Sequence, residues 1–293
     1  MNEIAENGFM KQRNLSMTSI ENFMNAMNSE SYSEPTIKSY RLLAQSFLKY
    51  HKNTNPGSIT DVQIKEYIVY LVEEKRYSVS SQNNAINAIR LFYRFVFDRE
   101  IEDFFLPRPF RAKTNPKILN EPEVALILKN VTDLRDKCMV FLVYSAGLSP
   151  GEIIYLTPAD IDSEKMRIFI SSATGKKDRF VVLAGKVLLL LREYFKEYTP
   201  KKWLFESYPN KQYSKRELQR SFRNAVLKSG VSKPANLTIL KNSFAVHLIE
   251  KGVDIRYIQQ MLGHKHSKTT MKYLRVSKRD FKMITSPLDN LEI

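Results

Sequence analysis

The chain has a single cysteine, Cys138, so no disulfide can form within it. Cys138 stands among Met139, Val140 and Phe141. Free cysteine in such company is usually a buried core thiol. Long apolar runs are also missing. The longest, such as Val187 to Leu191, fall far short of the roughly 20 residues that a bilayer span needs. That excludes a transmembrane helix, and no membrane partner is expected. The N-terminus, with Glu3, Glu6 and Asn7 ahead of any apolar block, lacks the basic-then-hydrophobic layout of a secretion signal, so a cytoplasmic location is expected. Acidic residues are the minority charge. Thirty-one Asp+Glu against 46 Lys+Arg leave a net +15, which favours a polyanionic partner, nucleic acid first. No internal repeat and no low-complexity tract is present, and 43% hydrophobic residues over 293 positions supply real cores.

What is present falls into two parts. From Ser19 to Glu100 apolar residues recur at three and four, as in Ile37, Tyr40, Leu43 and Phe47 and again in Ile64, Ile68 and Leu71. Breaks at Ser33-Glu34-Pro35, Asn55-Pro56-Gly57 and Tyr77-Ser78 divide this stretch into roughly four helices, with Thr60 and Ser78 placed as N-caps. Phe105 to Lys117 carries three prolines and four basic residues and reads as a linker. Beyond it, 121–131 and 133–144 read as helices, with a short helix opening at Pro150. Met166 to Ser172 and Arg179 to Ala184 are short, β-branched and aromatic, and read as a hairpin. Helical spacing returns over 187–198, 215–228, 240–251, 255–262 and 268–273.

The order of these parts is more specific than any one of them. A four-helix bundle, a basic linker, helices around one hairpin, and a late Leu262-Gly263-His264 followed by Tyr273 together resemble the tyrosine recombinases, or phage integrase family. The motifs that carry the likeness are Pro116 to Leu128, Tyr144 to Glu152, Gly175 to Arg179, Leu240 to Gly252 and Leu262 to Tyr273. The resemblance implies a mostly α (α+β) chain. An N-terminal four-helix SAM-like core-binding domain (15–104) follows an extension (1–14), and a basic linker (105–118) leads to a mainly helical catalytic-type domain with one small β-hairpin sheet (119–285) and a tail (286–293).

It also implies a chemistry. In the family a tyrosine hydroxyl attacks a DNA phosphodiester, giving a 3′-phosphotyrosyl link and a free 5′-hydroxyl, with no metal and no other cofactor. Charge building on the phosphorane oxygens needs preorganised donors, and the reacting oxygens need an acid and a base. The family supplies two arginines, a hairpin lysine, two histidines and the tyrosine. Here Tyr273 falls nine residues after His264, the family spacing, which makes Tyr273 the matching nucleophile and His264 a phosphate donor. Lys241 stands where the second arginine is expected and keeps the charge without the planar fork. Three positions are substituted. Ser149 follows Gly147-Leu148 where the family has arginine, Thr174 replaces the hairpin lysine, and Thr238 replaces the first histidine. His247 and His266 match nothing in the family and read as packing and surface residues. Lys176 or Lys177, or Arg167 or Arg179 on the hairpin, are available to replace the missing charge.

Candidate DNA contacts are Lys38, Arg41, Arg76, Arg90 and Arg94 in the first domain, Arg108, Arg111 and Lys113 in the linker, and Lys176, Lys177 and Arg179 on the hairpin. The expected partner is double-stranded DNA, with a homo-oligomer (a tetramer on DNA) or a mixed assembly with an active recombinase. The resemblance implies a tail that docks on a neighbouring subunit, and Leu288, Leu291 and Ile293 fit either that docking or a terminus frayed or folded back on its own domain. Two readings stand side by side: a recombinase with a rewired phosphate pocket, and a non-cutting relative that occupies recombination sites. A third, a basic RNA-binding or protein-interaction module, predicts no preference for duplex DNA.

Overall fold

The computed structural model describes residues 2–52, 54–102, 115–171, 178–208 and 210–277, with side chains from residue 16 onward. The linker residues Arg108, Arg111 and Lys113, the hairpin-tip residues Thr174, Lys176 and Lys177, and the tail 286–293 lie outside these. The chain divides into two compact units, Met1–Lys113 and Thr114–Ile293.

The first unit holds α1 (Asn2–Ser29), α2 (Glu34–Tyr50), α3 (Asp61–Glu73) and α4 (Val79–Phe97). Thr60 caps α3 through a reciprocal box with Gln63, and the Ser78 side chain accepts from the backbone N–H of Ser81 at the start of α4. The apolar stripes of the four helices meet in one core that includes Phe23, Met27, Phe47, Ile64, Tyr67, Ile86 and Phe92. The difference from expectation is at the start. Helix α1 begins at Asn2, well ahead of Ser19, because no proline interrupts the segment and its Glu, Ala, Met, Lys, Gln and Leu are good helix formers. Lys38, Arg41, Arg76 and Arg94 are exposed on this unit. Arg90 is half-buried and lines, with Arg94, Tyr40 and Asn87, a hollow of about 340 Å³.

The second unit runs α5 (Glu121–Lys129), α6 (Leu134–Ala146), α7 (Pro150–Ile153), β1 (Ile161–Asp162), β2 (Arg167–Ile170), β3 (Arg179–Val182), α8 (Gly185–Tyr198), β4 (Glu206–Tyr208), β5 (Lys211–Gln212), α9 (Lys215–Ser229), α10 (Leu237–Glu250), α11 (Ile255–Leu262) and α12 (Ser267–Met271). The hairpin pairs β2 with β3 antiparallel, Ile168 opposite Val181 and Ile170 opposite Arg179. Two short pairings add to the single hairpin expected: β1 extends that sheet, and β4 with β5 forms a second one. Two- and three-residue strands carry too little alternation to be read from sequence. Helix α10 is buried nearly all round and runs through the core, as apolar residues on every face require. Cys138 lies fully buried in α6, and burial pushes its thiol up to about 12. Helix α12 ends at Met271, so Tyr273 sits in the turn beyond it rather than in the helix.

Candidate active site

The site is built where α7, β3, α10 and the turn after α11 converge. Gly147 ends α6 in the left-handed conformation, φ 66°, and a Cβ there would lie 2.7 Å from Phe244 of α10 and 2.8 Å from Leu262 of α11. This close approach delivers Ser149 to the start of α7. Ser149 is the N-cap of that helix. Its hydroxyl donates to Oε2 of Glu152 at 2.7 Å, its backbone N–H donates to the same oxygen at 2.7 Å, and the Glu152 N–H returns to Ser149 Oγ at 3.3 Å. Position 149 thus holds a capping serine whose proton is already committed to Glu152.

Glu152 is the organising group. Its side chain is 9% exposed, Arg179 Nη2 donates to Oε1 at 2.8 Å, and Lys241 Nζ lies 3.9 Å from Oε2. Burial alone would raise this carboxyl, but Lys241, the Ser149 hydrogen bonds and Arg179 together outweigh it and hold the group near 2, against an ordinary 4.5. Glu152 is therefore an anion at every physiological pH, and it fixes two cations from different elements.

Arg179 stands apart from the surface contact expected of it. Its side chain is 5% exposed, and besides Glu152 it donates Nε–H to the carbonyl of Met261 at 2.8 Å. The alternation of β3 explains this: Arg179 and Val181 face inward while Phe180 and Val182 face solvent, with Phe180 48% exposed. The guanidinium packs under Gly263, where an added Cβ would lie 2.9 Å from its Cζ. Arg167, the other hairpin arginine, is also held locally, because it pairs with Asp162 and stacks on Phe180. Gly263 itself takes φ 67°. Gly263→Ala therefore meets both left-handed strain, about 1–2 kcal/mol, and a guanidinium pinned at two ends. Thermal unfolding should report a less stable second unit, and His264 should be displaced with it.

His264 follows directly. Its Nδ1 shares a hydrogen with Thr270 Oγ1 at 2.9 Å, and its ring stacks on Tyr273, centroids 6.3 Å apart and planes 19° apart. Tyr273 is 2% exposed, its hydroxyl donates to Asn242 Oδ1 at 2.9 Å, and burial pushes its phenol up to about 12. The structure thus brings together Ser149, Glu152, Arg179 and Lys241 and places His264 beside Tyr273. Asn242, the residue after Lys241, joins Tyr273 to α10. Thr238 is exposed in the first turn of α10. His247 is buried and shares a hydrogen with the Tyr144 hydroxyl, and His266 is the exposed N-cap of α12.

Besides the organising role of Glu152, sequence reasoning missed two features. Asn242 had no signal, because its partner is 31 positions away. The other was readable. In α9, Leu218, Phe222 and Ala225 are buried at helical spacing, which leaves Arg216, Arg220 and Arg223 together on the exposed side, where they line a shallow hollow with Ser214 and Gln219. Among the described residues no cluster of three or more His, Cys, Asp or Glu is placed to hold a metal ion, and no helix is long and apolar enough to cross a membrane.

Comparison with known proteins gives two family matches, the phage integrase family over residues 113–280 and the phage integrase N-terminal SAM-like domain over residues 20–103. Relatives include a Sinorhizobium fredii protein named as an integrase/recombinase, y4qK, 34% identical over 97% of this chain and 92% of its own. The tyrosine recombinase XerA of Pyrococcus horikoshii is 30% identical over 92% of this chain and 93% of its own. Among solved structures, a XerA recombinase is 31% identical with a TM-score of 0.51, covering 88% of this chain and 93% of that one. A lambda integrase dimer bound to a COC′ core site shares the fold, with a TM-score of 0.72 at 17% identity, covering 92% of this chain and 79% of that one.

Proposed function

This chain belongs to the phage integrase family, and from that premise we propose that it binds duplex DNA and breaks and rejoins one strand through a 3′-phosphotyrosyl intermediate on Tyr273. The observation that carries the reading is the stacked pair of His264 and Tyr273 beside a buried cluster of Arg179, Glu152 and Lys241. In the forward step the Tyr273 oxygen bonds to phosphorus as the bond to the 5′ oxygen breaks. The proton lost by the phenol is balanced by the one gained at the leaving hydroxyl, and the reverse step restores both. His264 and Lys241 donate to the phosphate oxygens, Arg179 holds the turn that presents His264, and Glu152 fixes Arg179 and Lys241. The phenol, raised to about 12, stays protonated until attack. No metal or cofactor enters this scheme.

The test is trapping on a nicked suicide duplex drawn from DNA flanking the native gene, read on a denaturing gel. A covalent protein–DNA band is expected. Two observations favour a second reading, a relative that binds without cutting: the Tyr273 hydroxyl is buried on Asn242, and Ser149 offers no charge. A clear gel shift with no covalent band would establish that second reading.

Binding rests on the basic surfaces of each unit. We extend the DNA contacts to α9, because Arg216, Arg220 and Arg223 share its exposed face. Changing all three to Ala should weaken duplex binding across sequences. It should also flatten the dependence of log K on log salt by about 0.9 for each phosphate no longer neutralised, up to about 2.7. Titrations at several salt concentrations measure this directly. A dimer or tetramer on DNA, formed by this chain or with an active recombinase, completes the reading.

A further inference from the structure

The phosphate pocket is short of one cation at Ser149, and the structure contains a side chain that reaches the gap. Helix α9 opens with Lys215, whose exposed stem folds over α7. Its Nζ and Cε lie 3.2 and 3.3 Å from the point where a Cβ on Gly151 would stand, and Ser149 Oγ lies 3.9 Å from that same point. The ammonium thus packs against Gly151, where a Cβ would crowd it, on the side of α7 that carries Ser149. We propose that Lys215 supplies the positive charge absent at position 149 and donates to a non-bridging oxygen of the scissile phosphate.

Three observations support this. Ser149 cannot take the role, because its hydroxyl hydrogen goes to Glu152. Arg179 cannot take it, because its guanidinium is buried between Glu152 and the Met261 carbonyl. Among the described residues no carboxylate pairs with the Lys215 ammonium. The charge balance also favours it. Arg179 and Lys241 offset the carboxylates of Glu152 and of Asp160, which lines the same hollow as Ser149 and Gly151, so Lys215 as a third cation leaves the pocket positive and suited to a phosphodiester anion. Lysine serves as a compact point charge on a flexible stem, able to follow one oxygen as charge builds there. It stays protonated throughout: the bond formed is Tyr273 oxygen to phosphorus, the bond broken is phosphorus to the 5′ oxygen, and Lys215 neither gains nor loses a proton.

The inference rests on the strand-cleavage reading, and the test separates the two. Wild type, Lys215→Gln, Lys215→Arg, Ser149→Arg with Lys215→Gln, Ser149→Arg alone, and Lys228→Gln as a charge-matched control at the far end of α9 are each incubated with the nicked duplex. The rate of covalent adduct and the gel shift are followed together. Lys215→Gln should lower the adduct rate about 10²- to 10³-fold, the usual effect of removing one donor to a developing oxyanion, with a gel shift close to wild type. Lys215→Arg should stay within about tenfold of wild type, arginine keeping the charge on a different fork. Ser149→Arg in the Lys215→Gln background should recover much of the loss, and Lys228→Gln should match wild type. A wild-type rate from Lys215→Gln, or a rate that falls only as far as its binding does, overturns the proposal and leaves strand cleavage standing. An adduct seen with Ser149→Arg but not with wild type also overturns it. No adduct from any of the six proteins overturns it together with the cleavage reading.

Discussion

Tyr273→Phe is expected to abolish the covalent adduct while leaving duplex binding and the fold nearly unchanged. The substitution removes one oxygen, the one that must become bonded to phosphorus, and the other hydroxyl at His264, that of Thr270, is fully buried and tied to the ring Nδ1. Its structural cost is small. The ring keeps its place in the core formed with Phe244, Val246, Ile258 and Leu262. What disappears is a single hydrogen bond, leaving the buried Asn242 Oδ1 without that donor, at a cost of about 1–3 kcal/mol. Equal gel shifts from the two proteins, with a covalent band only from wild type, separate the loss of chemistry from any loss of binding. Thermal melts should differ by no more than that one bond implies.

Glu152→Gln carries the largest expected effect on stability. The amide keeps an oxygen for the Ser149 hydrogen bonds but removes the charge that holds a guanidinium 5% exposed and an ammonium 13% exposed. Leaving one half of a buried ion pair uncompensated costs about 3–5 kcal/mol, and denaturant unfolding of the second unit should show it. Adduct formation should fall as well, because Arg179 tethers the Met261–Gly263 turn that presents His264, and a shift of about 1 Å at a reacting group costs on the order of 10²-fold. The pH dependence gives an independent check. The folded carboxyl sits near 2 against an ordinary 4.5, so its contribution is complete above pH 4.5 and is lost as pH falls towards 2. It amounts to about 3 kcal/mol. The stability gap between wild type and Glu152→Gln should be full at pH 7 and should narrow steadily below pH 4.5.

Most of the helices are legible in the sequence because their apolar residues recur at helical spacing and their ends carry caps. Helix 255–262 can be read to its last residue, and Thr60 and Ser78 cap the helices they are expected to cap. The hairpin is legible from its β-branched runs. The remainder is hidden for identifiable physical reasons. Strands of two and three residues show no periodicity, so β1, β4 and β5 give no signal. The charge of Arg179 points to the surface, although the inward Val181 two residues on puts Arg179 on the same inward face. The role of Ser149 as the cap and donor that secures Glu152 is not legible, since that bond depends on how α7 starts. Lys215 and Asn242 reach the site only through tertiary packing, 64 and 31 positions from Gly151 and Tyr273, and no local pattern marks them.

The most direct measurement is the identity of the residue that carries DNA. The trapped complex from wild-type protein would be digested with protease and nuclease, and the nucleotide-bearing peptide sequenced by mass spectrometry. A phosphonucleotide on Tyr273 is the result expected. A phosphonucleotide on any of the other tyrosines among the 15 in the chain, or on a serine, would contradict the assignment of Tyr273 as the nucleophile.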